Sequence, residues 1–206
     1  MKILSLQKIT YSLVSLFIVL PIFKFLFRGS VEGIKNLPKK NSFIIVSNHG
    51  SNFDPPFVGH ALGLRVSFMA KAELFNIPLL SNVIKACGAY PVKRGMIDRD
   101  SLLTASTKLE NEEVIGIFID GTRQKDGRVN KPKKGAAMLA AKNKKFLVPV
   151  AIINSHRLFQ IKNFIPRFNK VIIKIGNPIS YPRSSSKYDI NLTTNYLKDT
   201  INTLLG

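Results

Sequence analysis

The chain places a histidine and a carboxylate, His49 and Asp54, inside the run SNHGSNFDPP from Ser47 to Pro56. Together an imidazole and a carboxylate make a general base: the carboxylate accepts the Nδ1 proton, fixes the tautomer and leaves Nε2 to take a proton from a hydroxyl. Regular structure would keep the two apart, because five residues turn about 140° around a helix and reverse face along a strand. A turn must therefore join them. Gly50, Ser51 and Asn52 are turn-forming residues, and Pro55 suits the first position of a helix beginning after Asp54. Standing alone, such a pair reads first as a structural histidine held by a hydrogen bond.

The pair does not stand alone. Lys71, Ala72, Glu73 and Leu74 are followed by the run GAYPVKR, which ends on Lys93 and Arg94. A β-branched run then empties into Asp120, Gly121, Thr122 and Arg123, and Val148, Pro149 and Val150 lie beyond it. In this order, over roughly residues 44 to 152, the blocks N-H-x-x-x-x-D, K-x-E-L with its basic pair, acid-G-T-R and V-P-V resemble the glycerolipid acyltransferase family. The 1-acyl-glycerol-3-phosphate acyltransferases are the nearest likeness within it. Two departures stand out. Ile119 and Asp120 occupy the places where the family usually carries Pro-Glu, and Pro132 replaces an aromatic residue ahead of Lys133 and Gly135.

The resemblance implies a reaction and a set of roles. A fatty acyl group would pass from a thioester, acyl carrier protein or coenzyme A, to the free hydroxyl of a lysophospholipid. With 1-acyl-glycerol-3-phosphate as acceptor the product is phosphatidic acid; glycerol-3-phosphate or another lysolipid is the alternative. His49 would be the catalytic base and Asp54 its partner, with no metal, cofactor or acyl-enzyme. Lys93, Arg94, Asp120, Gly121, Thr122 and Arg123 would bind substrate. Their chemistry agrees: a guanidinium fork matches phosphate oxygens, a glycine lets backbone approach a ligand, and a threonine adds a hydroxyl donor. Glu73 either pairs with Lys71 or contributes to the site. His60 and His156 lie outside the motifs, and Cys87 reads as a small buried hydrophobe.

The elements that must position these groups read as an α/β domain, with a mixed central sheet flanked by helices. Buried strands are expected at Ser42 to Ser47, Val114 to Ile119, Phe146 to Ile153 and Val171 to Ile175. Helices are expected at Asp98 to Leu109 and Lys133 to Lys142. A strand ending at Ser47 delivers His49 to the carboxyl edge of the sheet, where α/β proteins place their sites. Residues 28–206 read as one acyltransferase domain.

Residues 1–27 read differently. From Ile9 to Phe23 the chain carries no charge, and extension to Phe27 adds only Lys24, so a membrane-anchoring helical segment is expected, with Pro21 breaking it early. The competing reading is the core helix of a soluble protein. No small-residue cleavage site follows the apolar run.

The 206 residues include 31 Lys+Arg against 12 Asp+Glu, a formal charge of +19, which calls for an acidic partner. Between Gly127 and Lys187 there are fourteen basic residues and no acidic one, which reads as a solvated face or as a patch against anionic headgroups. The expected setting is the cytoplasmic face of the cytoplasmic membrane, monotopic or peripheral, on an anionic surface. A nucleic-acid-binding protein would also explain the charge, but no zinc-finger, RNP or helix-turn-helix pattern accompanies it. No nucleic-acid partner is expected. A serine hydrolase lacks its G-x-S-x-G, and nucleotide chemistry its glycine-rich loops.

Overall fold

A computed structural model describes residues 9–39, 42–92, 99–158, 161–162, 165–166 and 168–206. Among them seven strands form one sheet: β1 (Ser30–Glu32), β2 (Ile44–Ser47), β3 (Val66–Lys71), β4 (Tyr90–Val92), β5 (Val114–Phe118), β6 (Leu147–Ile153) and β9 (Ile172–Ile175). A short antiparallel ribbon, β7 (Ile161–Lys162) and β8 (Ile165–Pro166), precedes the last. The spatial order is β1, β9, β6, β2, β5, β3, β4. The five strands from β6 to β4 are parallel, β9 runs against β6, and β1 runs with β9. The four expected strands are all present, trimmed by one or two residues, and the two expected helices are α4 (Arg99–Glu110) and α5 (Gly135–Asn143).

Burial on both faces explains the unbroken apolar run of β2. Ile45, with Phe43 before it, faces a core shared with Phe57, Val58 and Leu62 of α2 (Asp54–Leu62). Ile44 and Val46 face a second core with Leu109 of α4, Leu139 of α5 and Leu197 of α6 (Lys187–Leu205). The right-handed crossover rule accounts for this division. Connections stepping toward β4, through α2 and α3 (Leu80–Ala86), lie on one face; those stepping back, through α4 and α5, lie on the other.

The N-terminal helix α1 (Ile9–Leu26) is long and apolar enough to cross a membrane, and only a small share of it is buried within the protein. A buried core helix is thus not what the chain makes of it. Nor does Pro21 end it. Turns with i to i+5 hydrogen bonding at Ser15–Val19 and Ile22–Leu26 flank the proline, and such widened turns accommodate the amide hydrogen that proline lacks.

One side of α1 grips α2. The Tyr11 hydroxyl donates to Leu64 O at 2.6 Å, Ser15 Oγ meets His60 Nδ1 at 2.9 Å, and the rings of Phe23 and Phe27 lie 5.1 and 5.8 Å from that of Phe57. Burial, then the charge of Lys24, holds the His60 imidazole below its ordinary pKa. Phe23 and Phe27 are fully buried, each contributing about 2 kcal/mol. Leu13, Leu16 and Phe17 on the other side remain exposed.

Topology also divides the basic stretch. Arg128, Lys131, Lys133 and Lys134 lie in the loop after β5, at the carboxyl edge. Lys142, Lys144 and Lys145 close α5 and lead into the start of β6, at the opposite edge. The fourteen cations therefore do not make the single face their sequence clustering suggests.

Candidate active site

The turn required between His49 and Asp54 is built by Ser51. Its hydroxyl accepts from Phe53 N at 3.2 Å and its carbonyl accepts from Asp54 N at 3.2 Å, which folds the chain back before α2 begins. Asp54 Oδ2 then receives three donors: Gly50 N at 2.7 Å, Ser51 N at 2.8 Å and His49 Nδ1 at 2.8 Å. The two amides can only donate, so Oδ2 is an acceptor and Nδ1 carries the proton. Nε2 is the ring nitrogen left to take a proton, and no group among the described residues bonds to it. His49 is 6% exposed and Asp54 fully buried.

The ring of His49 is fixed from behind by stacked aromatics. Phe118 lies 3.9 Å from it at 12°, and Phe68 lies 4.9 Å from Phe118 at 17°. Gly116 makes this possible, because a β-carbon there would collide with the Phe68 ring. The backbone is equally determined. Asn48, buried beside the histidine, donates Nδ2 to Gly127 O at 2.7 Å and to Ile152 O at 2.9 Å, and accepts from Ile152 N at 2.8 Å. Asn48→Ala would leave these buried groups without partners, at a cost of about 3 kcal/mol. A thermal midpoint lower by roughly 8 °C is the expected result, and an unchanged midpoint would show that the clamp holds nothing.

The acid-G-T-R block leaves β5 next to this turn. Ser47 pairs with Phe118 in the parallel register, Ile119 N donates to Ser47 O at 3.0 Å, and Gln124 N donates to His49 O at 2.8 Å. Asp120 is buried, and its oxygens accept from Asn130 N at 3.1 Å and Lys131 N at 3.0 Å. Its carboxylate thus braces its own loop. Gly121 sits at φ 71, where a β-carbon would meet Lys133 Cγ only at an unstrained 4.0 Å, so backbone conformation is what selects glycine there. Thr122 and Arg123 are exposed at the edge. Asp126 is held below the ordinary carboxylate range by the Asn130 side chain first and by Arg128 N next. Lys93 and Arg94 lie outside the described residues.

Three participants escape the sequence reading. Asn48 stood in the motif without a role, and its position beside the histidine was the available signal. Phe118 is visible only once the register sets β5 beside β2. His156, apart from every motif, lies against both loops: a β-carbon on Gly50 would fall 2.7 Å from its backbone N, and one on Gly127 would strike its Nδ1. Burial, then Arg157, keeps its imidazole below the ordinary pKa, although Asp126 and Asp54 pull the other way. Elsewhere, Lys71 meets Glu73 at 3.1 Å in an exposed pair, and burial raises the pKa of the Cys87 thiol.

Comparison with known proteins places the chain. The Acyltransferase family model matches residues 28–153. A 1-acyl-sn-glycerol-3-phosphate acyltransferase of Borreliella burgdorferi is 30% identical over 83% of this chain and 69% of its own length. The chloroplastic LPAT1 of Arabidopsis thaliana is 31% identical over 80% of this chain, which spans only 46% of that protein. The crystal structure of the 1-acyl-sn-glycerophosphate acyltransferase PlsC from Thermotoga maritima superposes with a TM-score of 0.72 at 28% identity, covering 93% of this chain and 79% of that one. On a family model spanning more than half of its length, and on a seven-stranded sheet of the same build, the chain belongs to the Acyltransferase family.

Proposed function

We propose that this chain is a 1-acylglycerol-3-phosphate O-acyltransferase. It moves an acyl group from an acyl carrier protein or coenzyme A thioester to the free hydroxyl of lysophosphatidate, giving phosphatidate. The observation that carries the reading is the buried His49–Asp54 pair, with Nδ1 committed to the carboxylate and Nε2 open at the strand-exit edge. The names of the relatives support the choice of acceptor.

In the reaction His49 Nε2 takes the hydroxyl proton as that oxygen attacks the thioester carbonyl. The tetrahedral adduct expels the thiolate, which recovers the proton from the imidazolium, so the C–O bond forms, the C–S bond breaks and the base is regenerated. Asp54 holds the ring and balances the transient positive charge. Arg123, beside Gly121 and Thr122, receives the acceptor's phosphate, joined by Lys93 and Arg94. Asp120 serves binding through the loop it braces. The N-terminal segment holds the enzyme at the cytoplasmic face of the membrane, where acceptor and product reside. That segment shares Val19, Phe23 and Phe27 with the core, so substitution on its exposed side tests anchoring more cleanly than deletion of residues 1–27.

Arg123→Ala is expected to raise KM for lysophosphatidate by roughly ten- to a hundredfold, the worth of a charge-assisted hydrogen bond, with KM for the thioester little changed. Arg123→Lys should restore only part, because the fork is lost while the charge stays. Equal increases for both substrates would show that Arg123 does not read the phosphate. The activity itself is tested by crossing the two thioester donors with lysophosphatidate, glycerol-3-phosphate and a zwitterionic lysolipid. Transfer to lysophosphatidate in preference to the others supports the reading, and preference for another acceptor reassigns the enzyme within its family.

A further inference from the structure

Exposed apolar side chains gather on both flanks of the carboxyl edge. On one flank the chain leaves β3 at Lys71, makes a tight turn over Ala72–Asn76 and enters α3 at Leu80. Leu74, Ile77 and Leu79 are exposed along it, Leu79 at 78%. Leu79 is also held at a positive φ of 67 with ψ -55, a backbone conformation that a leucine seldom adopts. Its side chain projects into solvent from a backbone that does not favour it. On the other flank, α1 reaches the same edge just before β1, where Phe25 is 82% exposed and Phe168, ahead of β9, is exposed too. His49 leaves β2 in the middle.

We propose that the segment from Leu74 to Leu79 is a second membrane-contacting foot, which with the end of α1 and Phe168 seats the strand-exit edge on a lipid bilayer. This rests on the reading of the enzyme as one acting on lipid substrates. The separation of the flanks identifies the occupant. From β9 to β3 is four strand spacings, roughly 20 Å, too wide for one small ligand and matched by a flat surface. Lys24 and Arg28 are exposed beside the apolar groups of α1, as befits side chains that place stems in the interface and charges among headgroup phosphates. The acceptor then keeps its acyl chain in the bilayer while its headgroup rises to His49.

The chain contains no tryptophan, so single insertions report one position each. In the full chain, Leu79→Trp and, on α6 of the opposite face, Tyr188→Trp are mixed with anionic phosphatidylglycerol vesicles carrying bromine on their acyl chains. The emission of Leu79→Trp should shift to the blue and be quenched, and that of Tyr188→Trp should do neither. Quenching of Phe17→Trp on α1 without quenching of Leu79→Trp would overturn the proposal, leaving α1 as the sole contact. A blue shift of Leu79→Trp with rising protein concentration and no vesicles would overturn it in favour of a second copy of the chain. Leu79→Asp should weaken vesicle partition on the order of tenfold, and leave kcat on a short-chain, water-soluble acceptor unchanged. Insertion without acyl transfer would sink the proposed function and leave this inference standing.

Discussion

His49→Ala should lower kcat for acyl transfer by roughly a thousandfold, the usual worth of a positioned general base. KM for the acceptor should change little, because the lost contact matters only as the hydroxyl proton moves. Fold and vesicle binding should persist. The turn is held by Ser51, by Asn48 and by the Gly50 and Ser51 amides on Asp54, none of which needs the imidazole. A purified, folded variant retaining more than about a tenth of kcat would rule out His49 as the base.

For Asp54→Asn the expected fall in kcat is roughly a hundredfold, accompanied by a loss of stability. The amide oxygen can still accept from Gly50 N, Ser51 N and His49 Nδ1, so the turn survives, but it carries no charge to balance an imidazolium. Its NH2 would occupy the place of Oδ1, which is buried with no partner among the described residues. An unsatisfied buried donor costs about 1–3 kcal/mol. Thermal unfolding and steady-state kinetics on one preparation separate the two effects. Full activity with lowered stability would make Asp54 a purely structural residue.

The sequence exposes what is local and hides what depends on register. Five of the six residues between β2 and α2 are turn formers or the motif groups themselves, so the His49–Asp54 turn follows from spacing and turn chemistry alone. The two strands beside β2, β5 and β6, are long β-branched runs and equally legible, whereas β1 and β4 have three residues each and β3 mixes Ser67 and Lys71 with its apolar positions. Phe68, Phe118 and Gly116 act together only through the pairing of β5 with β3, which no local pattern displays. Asn48 and Gly127 are likewise joined across 79 residues.

Two misreadings have physical causes. The rule that proline ends a helix presumes an i to i+4 ladder, and α1 widens its turns on either side of Pro21. The second is the omission of α6, whose start was signalled by the spacing of Ser186 and Asp189: Ser186 Oγ accepts from Asp189 N at 3.1 Å and caps the helix.

The most direct test of the central claim is a paired assay on the purified full chain in anionic vesicles, following free thiol release and phosphatidate formation together. The account predicts one phosphatidate for each thiol released, thiol release that requires lysophosphatidate, and loss of both in His49→Ala. Thiol released in a burst before acceptor is added, or phosphatidate formed as fast by His49→Ala as by the parent chain, would contradict it.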